Sequence, residues 1–294
     1  MNYSPRASSS SDRLTVGLAQ LSPKLGDLDT NLAMHLEAIH QAHEQNVDLL
    51  IFPELSLTGY KLMDLVQSVA LPAHLDHPIL AALAEAAGEM AVVPGFVEED
   101  ARHRFYTAAA FIQGGQIHHV HRKIFLPTYG LFDEGRYLGK GEEIRAFDTP
   151  WGRAAILICE DFWHMSAVYL AWVDGADLMI FPTASPGRVA AADADTFTVT
   201  TAVEQAMITY AGLLNVHVLL CNRTGVEDGI GFAGASAIFS PSGEILARAP
   251  DLAQCLLVTE LDLDRVRRTR MQSQVLRDER PHWVMRQLQA ILDR

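Results

Sequence analysis

The chain has 294 residues, 49% of them hydrophobic, and a formal net charge of −13 from 23 basic and 36 acidic side chains. That length and apolar share can bury one large core or two small ones, and the acidic balance excludes nucleic acid and anionic membranes as partners, since both need basic patches. No run of 18 apolar residues occurs, so no membrane-spanning helix is expected.

Met1 to Asp12 is polar and carries consecutive serines from Ser8 to Ser11. It lacks the apolar stretch of a secretion signal, and residues 1–12 read as a disordered tail. Leu14 to Leu21 predicts a first strand. Gly26-Asp27-Leu28-Asp29-Thr30 is a loop ending in a helix cap, and Leu32, Leu36, Ile39 and Ala42 follow at helical spacing. His35, His40 and His43 share this helix. No cysteine or carboxylate completes a metal set with them, so they read as surface or hydrogen-bonded histidines. Val47 to Glu54 is the second strand; Pro53 ends it and aims Glu54 off its carboxyl edge. Position alone leaves Glu54 equally a solvated loop residue or a functional acid. Leu55 to Tyr60 continues as a loop able to line a pocket.

Asp76 to Glu89 predicts a helix, and Ala91 to Val97 and Tyr106 to Gln113 predict strands. Gly114-Gly115 is a tight turn into Gln116 to Val120. His118, His119 and His121 fit a polar hairpin better than a zinc site, because no second ligand group has suitable spacing. From His121 to Tyr137 the chain has no period of 2 or 3.6, is aromatic, and carries both signs of charge. Long irregular loops of this kind inside a compact domain are often functional.

Asp148 to Gly152 is a turn, and Ala154 to Ile158 is an apolar run leading straight into Cys159, Glu160 and Asp161. A cysteine at the carboxyl end of a buried strand sits where open α/β sheets place reactive groups. Free cysteine is also common core filler, so its surroundings must decide. Met165 to Val173 predicts a helix and Ala176 to Thr183 a strand. Asp48-Leu49-Leu50-Ile51-Phe52-Pro53 and Asp177-Leu178-Met179-Ile180-Phe181-Pro182 share the pattern Asp-Leu-x-Ile-Phe-Pro, each after a strand and a helix. This is an internal βαβ repeat. Its strands are apolar on both faces, which predicts an α/β fold with two sheets face to face between helices: a four-layer α-β-β-α sandwich in one domain with an internal pseudo-repeat.

Ala184 to Arg188 is a loop that can reach the same edge, Ala190 to Leu214 is largely helical, and Val216 to Cys221 is a strand. Asn222-Arg223-Thr224 matches a glycosylation sequon, which carries no meaning without a secretion signal. Gly229 to Gly234 matches G-x-G-x-x-G but precedes strand-like Ala235 to Phe239 and joins no strand to a helix, so no nucleotide site is read there. Ser240 to Gly243 turns into Glu244 to Arg248, and Cys255 to Leu261 is the last strand. Asp262 to Arg294 is charged, helical and Arg-rich. The cysteines, Cys159, Cys221 and Cys255, are odd in number and far apart, which fits reduced thiols in a cytoplasmic protein.

Glu54, Lys123 and Cys159 can share one edge of this fold. A thiol needs a base to become a nucleophile, and a carboxylate alone would raise its pKa. An ammonium beside both offsets that charge and can hold a tetrahedral oxyanion with a backbone N–H such as that of Glu160. The set is chemically complete for acyl transfer without histidine.

Phe52-Pro53-Glu54-Leu55, His121-Arg122-Lys123-Ile124-Phe125-Leu126-Pro127 and Ile158-Cys159-Glu160-Asp161 resemble the three signature segments of the nitrilase superfamily of carbon–nitrogen hydrolases. Leu126 to Tyr137 and Cys159-Glu160-Asp161-Phe162-Trp163 are most similar to the glutamine amidase domain of glutamine-dependent NAD synthetases. The resemblance implies a hydrolase domain over 13–270 and a helical tail, 271–294, packed on that domain or on a partner subunit. It implies Glu54 as general base, Lys123 as oxyanion stabiliser, Cys159 as nucleophile and Glu134 as a second glutamate orienting the lysine. Tyr60, Tyr129, Glu160, Phe162, Ser185 and Arg188 would border the substrate. No phosphate-binding motif follows, so an ATP-using synthetase domain is not expected, and Thr183 stands where that branch carries Asn. The implied activity is hydrolysis of a small amide to acid and ammonia through a thioester, with no cofactor or metal, in a homodimer or higher homo-oligomer. A nitrilase, an N-carbamoyl amidohydrolase, or a non-catalytic scaffold of the same fold are the alternatives.

Overall fold

The structure, a computed structural model, describes residues 12–187 and 198–294. The tail expected over 1–12, all but Asp12, and the start of the helix expected from Ala190 lie outside the described residues.

The first half runs β1 (Arg13–Gln20), α1 (Leu28–Glu44), β2 (Leu49–Ile51), α2 (Val66–Val69), α3 (Pro78–Ala87), β3 (Ala91–Val93), β4 (Gly95–Glu99), β5 (Phe105–Gln113) and β6 (Gln116–Arg122). The chain continues through β7 (Phe147–Thr149), β8 (Gly152–Ile156), α4 (Met165–Val173), β9 (Leu178–Thr183), α5 (Thr198–Leu214), β10 (His217–Asn222), β11 (Thr224–Glu227), β12 (Ile230–Ala233), β13 (Ala237–Phe239), β14 (Ile245–Arg248) and β15 (Cys255–Asp262). Three helices follow: α6 (Asp264–Gln272), α7 (Val275–Asp278) and α8 (Pro281–Leu292).

One sheet has the order β15-β1-β2-β3-β5-β4, with β6 also paired to β5; the other has the order β14-β13-β10-β9-β8-β7. The Asp-Leu-x-Ile-Phe-Pro repeat occupies matching places, β2 and β9, each between parallel neighbours. Even the backbone bonds match. Asp48 N–H donates to Thr15 O at 2.8 Å and Asp177 N–H to Arg153 O at 2.8 Å, while Asp48 O accepts from Ala91 N–H at 2.9 Å and Asp177 O from His217 N–H at 3.0 Å.

Alternation along these strands builds the layers. Leu49, Ile51, Leu178 and Ile180 point inward and pack with Val16, Leu18, Val93, Ile156, Leu219 and Ile238 between the sheets. Leu50 and Phe52 point outward under α1 and α3, against Ile39, Leu80 and Leu83. Met179 and Phe181 point outward under α4 and α5, against Val168, Trp172 and Met207. The result is a four-layer α-β-β-α arrangement, and it explains why the repeat strands are apolar on both faces.

Several boundaries differ from the sequence reading. Ala91 to Val97 is two strands, broken at Pro94, which has no N–H to continue the ladder. The second strand stops at Ile51, so Glu54 lies in the turn beyond it. The run into Cys159 leaves the sheet after Ile156. The glycine-rich stretch is a hairpin: Asp228 and Gly229 both have positive φ, 47° and 76°, joining β11 to β12. Asp-Gly is a strong two-residue hairpin signal, and the G-x-G-x-x-G match obscured it.

Leu276 of α7 packs on the outer core of the second sheet. None of the residues of α8 is buried, and Met285, Leu288, Ile291 and Leu292 are exposed along it. Among the described residues no helix is long and apolar enough to cross a membrane.

Candidate active site

The turn after β2 carries Glu54. It is tight: Leu55 has φ 50°, and a Cβ on Gly95 would fall 2.4 Å from Pro53 O and 2.7 Å from Leu55 N. Only glycine allows β4 to start this close behind Glu54. Lys123 follows β6; its N–H donates to Thr107 O at 2.9 Å and its carbonyl accepts from Gly141 N–H at 2.8 Å. Glu134 opens a 3₁₀ turn in the long irregular loop.

These three side chains meet. Lys123 Nζ donates to Glu54 Oε1 at 2.7 Å and to Glu134 Oε1 and Oε2 at 2.9 and 2.8 Å. Lys123 and Glu54 are buried, and Glu134 is nearly so. The Tyr60 hydroxyl donates to Glu134 Oε1 at 2.5 Å. Glu54 Oε2 is buried without a hydrogen-bond partner, and the Cys159 thiol is close enough to act on this carboxyl.

Cys159 begins the 3₁₀ turn Cys159–Trp163 with φ 45°, a left-handed conformation that is uncommon for a side-chain-bearing residue. The buried Asp161 carboxylate fixes this elbow. It accepts from Ile158 N at 2.9 Å, from His121 Nε2 at 2.8 Å, and from Ile124 N and Phe125 N at 2.9 and 3.0 Å. One donor precedes Cys159 and three flank Lys123, so a single carboxylate sets the Cys159 turn against the segment that carries Lys123.

Burial pushes the Glu54 carboxyl up to about 7, against the pull of the Lys123 ammonium. Burial and the Glu54 charge push the Cys159 thiol well above its ordinary range, although Lys123 and the Ala184 N–H draw it down. Burial opposes the Lys123 charge, but Glu134 and Glu54 outweigh it and hold the ammonium protonated. At neutral pH the resting site therefore holds a thiol, an ammonium, and a carboxyl near its midpoint.

The other sequence candidates fall in different places. Tyr60 touches Glu134, and both line a mostly apolar cavity of about 90 Å³ with Leu55, Leu62, Phe132 and Leu138. Tyr129 is half exposed and donates to Glu160 Oε2 at 2.9 Å. Burial raises the Glu160 carboxyl. Ser185 is buried next to Ala184, and its N–H donates to Asn222 Oδ1 at 2.9 Å. Phe162 is not brought to this group. It is fully buried in the outer core of the second sheet, edge-on to Phe181 at 5.8 Å, because its large ring is better spent on core packing. Arg188 lies outside the described residues. Among the described residues no cluster of three or more His, Cys, Asp or Glu side chains could hold a metal ion.

Sequence reasoning missed Asp161 as a structural tie, although it stands inside the cysteine motif. It also missed Glu227 at the end of β11. Glu227 Oε1 accepts from Tyr60 N at 2.9 Å and Lys61 N at 2.7 Å, and Oε2 accepts from Arg223 Nη1 at 2.8 Å. Nothing in its local sequence marks this tie, since Tyr60 and Lys61 lie more than 160 residues away.

Residues 15–271 match the family model described as carbon-nitrogen hydrolase. The chain is 32% identical over 254 residues to the glutamine-dependent NAD(+) synthetase of Acinetobacter baylyi, covering 86% of this chain and 45% of that protein. It is 28% identical over 270 residues to N-carbamoylputrescine amidase of Arabidopsis thaliana, covering 87% of this chain and 89% of that protein. The structure of glutamine-dependent NAD+ synthetase from Acinetobacter baumannii superposes with a TM-score of 0.76 at 31% identity, covering 86% of this chain and 46% of that one. The chain thus spans less than half the length of these synthetases. With the matched model running from β1 into α6 and enclosing every residue of the buried cluster, the chain belongs to the carbon–nitrogen hydrolase family and is an enzyme acting on carbon–nitrogen bonds.

Proposed function

We propose that this enzyme hydrolyses a small amide to a carboxylic acid and ammonia through a thioester on Cys159. The observation that carries the reading is the contact of Lys123 Nζ with Glu54 Oε1 at 2.7 Å, beside a thiol on a strained elbow. Sulfur attacks the amide carbonyl as its proton passes to Glu54. Lys123 has three N–H bonds; with Glu134 sharing one and Glu54 taking another, one is left for the oxyanion, together with the Glu160 N–H. Collapse breaks the C–N bond, and the Glu54 proton leaves with ammonia. Water, deprotonated by Glu54, then attacks the thioester; the C–S bond breaks, the Glu54 proton returns to the Cys159 sulfur, and the acid is freed. Glu134 and Tyr60 hold the lysine in place, and Tyr129, Glu160 and Ser185 border the substrate.

An N-carbamoyl amide is the second reading. It is favoured by the Arabidopsis amidase, which this chain matches over most of both lengths. An ammonia-release assay over α-amino, aliphatic, aromatic and N-carbamoyl amides, with matching nitriles, separates these readings. Release from nitriles alone would contradict both.

The base role has a pH signature. Glu54 must be unprotonated to accept the thiol proton, so kcat/KM should climb as pH rises through about 7 and level off above it. Glu54→Gln should abolish that limb with the activity. A profile rising through the ordinary carboxylate range instead would show that Glu54 is not the base.

We also propose a homodimer in a reducing compartment such as the cytoplasm, in keeping with the free thiols of Cys159, Cys221 and Cys255. A 12-residue helix with no buried residue is marginal alone, and α8 would gain its apolar cover from a second subunit together with exposed Met165, Leu170 and Leu213. Light scattering at micromolar concentration should give twice the 32.4 kDa chain mass. A monomer mass would contradict this.

A further inference from the structure

The turn bearing Glu54 is gripped from below by α1. Asn31 and His35 lie one helical turn apart on one face. Asn31 Nδ2 donates to Leu57 O at 2.9 Å, and His35 Nε2 meets Ser56 Oγ at 2.9 Å. His35 Nδ1 lies 2.7 Å from Asn31 O, which can only accept, so Nδ1 carries the proton. Burial lowers His35 to about 4, so the ring is neutral and Nε2 must accept from the Ser56 hydroxyl. Ser56 Oγ in turn accepts from Gly95 N–H at 3.2 Å. Gly95 is the residue with no room for a Cβ against Pro53 and Leu55. The ring also stacks on Phe52, with centroids 4.1 Å apart.

A single directional chain thus runs from the α1 backbone through His35 and Ser56 to Gly95, closing around the strained Glu54–Leu55 turn. We propose that His35, acting through Ser56, is a positioning residue that holds Glu54 in its dry place between Lys123 and Cys159. His35 touches no reacting atom. It is fully buried, 21 residues before its serine partner, and the proposed chemistry leaves it unused. This inference rests on Glu54 being the base for Cys159.

The groups within electrostatic reach of Glu54 are Lys123, Glu134, Cys159, Tyr60 and Arg223, and none is altered by changes at His35 or Ser56. A loosened turn admits water, so the Glu54 carboxyl should fall toward its ordinary range.

The test follows alkylation of Cys159 by iodoacetamide, read by peptide mass spectrometry so that Cys221 and Cys255 do not interfere. Sulfur displaces iodide while Glu54 takes the thiol proton. In the native protein the rate should rise through about 7. His35→Leu and Ser56→Ala should each move that rise down by about one pH unit and slow the plateau by about tenfold or more. His35→Gln, which keeps one donor for Asn31 O and one acceptor for Ser56, should restore both. Should His35→Leu fail to fold, Ser56→Ala carries the test. Variants that melt earlier yet keep the native inflection and plateau would overturn the positioning role. A native profile with no inflection near 7 would overturn the base assignment itself, and the proposal with it.

Discussion

Cys159→Ala should lower amide turnover by about 10⁴-fold or more while the protein still folds. The change removes one sulfur from a residue that is barely exposed, so the stability cost should stay near 1–2 kcal/mol. Alanine in the left-handed conformation is no worse strained than the cysteine it replaces. Cysteine at this point has no other evident use. Burial and the neighbouring carboxylate both disfavour its thiolate, so the resting residue is a thiol. Turnover that survives the substitution, with the melting temperature little changed, would place the nucleophile elsewhere.

Lys123→Met should cost both activity and stability, and the stability loss should depend on pH. The ammonium is the only cation bonded to Glu54 and Glu134 in the described site. Without it two buried carboxylates face each other unpaired, a loss of about 3–5 kcal/mol where both must be charged. The Glu54 carboxyl, already raised to about 7 by burial, then rises further, because the ammonium that drew it down is gone. The folded variant holds protons that the unfolded chain has released, so its stability falls as pH rises from about 5 to 8. Urea titrations at pH 5 and pH 8 should therefore show a larger deficit, relative to the native protein, at the higher pH. An equal deficit at both would mean the lysine is a packing residue. Turnover should fall by about 10²–10³-fold or more, the usual consequence of removing an oxyanion donor.

The two layers of the fold differ in how legible they were. The repeat of Asp-Leu-x-Ile-Phe-Pro carried the architecture, because strands covered on both faces must be apolar at every position, and two copies imply two sheets. Glu54, Lys123, Glu134 and Cys159 stood in motifs whose order along the chain is itself informative, and the structure draws all four into one buried cluster. The supporting side chains were not legible in the same way. His35 reads as one of several histidines on a surface helix, and Glu227 reads as a charge before a turn. What marks them is the bond of His35 to Ser56 and of Glu227 to Tyr60 and Lys61, across different elements, and periodicity carries no information about such pairings. Phe162 failed for the opposite reason. It sits three residues from Cys159 in a motif, but an aromatic ring beside a site is drawn to whichever side buries more of it, and here that is the core.

A thioester on Cys159 would be directly visible by mass. Mixing the enzyme with a substrate amide found in the ammonia-release assay, quenching in acid within milliseconds to seconds, and measuring intact and peptide masses should reveal one added acyl group on the peptide containing Cys159, absent from Cys159→Ala. The same acyl mass persisting in Cys159→Ala, or a substrate turned over with no acyl adduct on Cys159 at any quench time, would contradict a thioester on this residue.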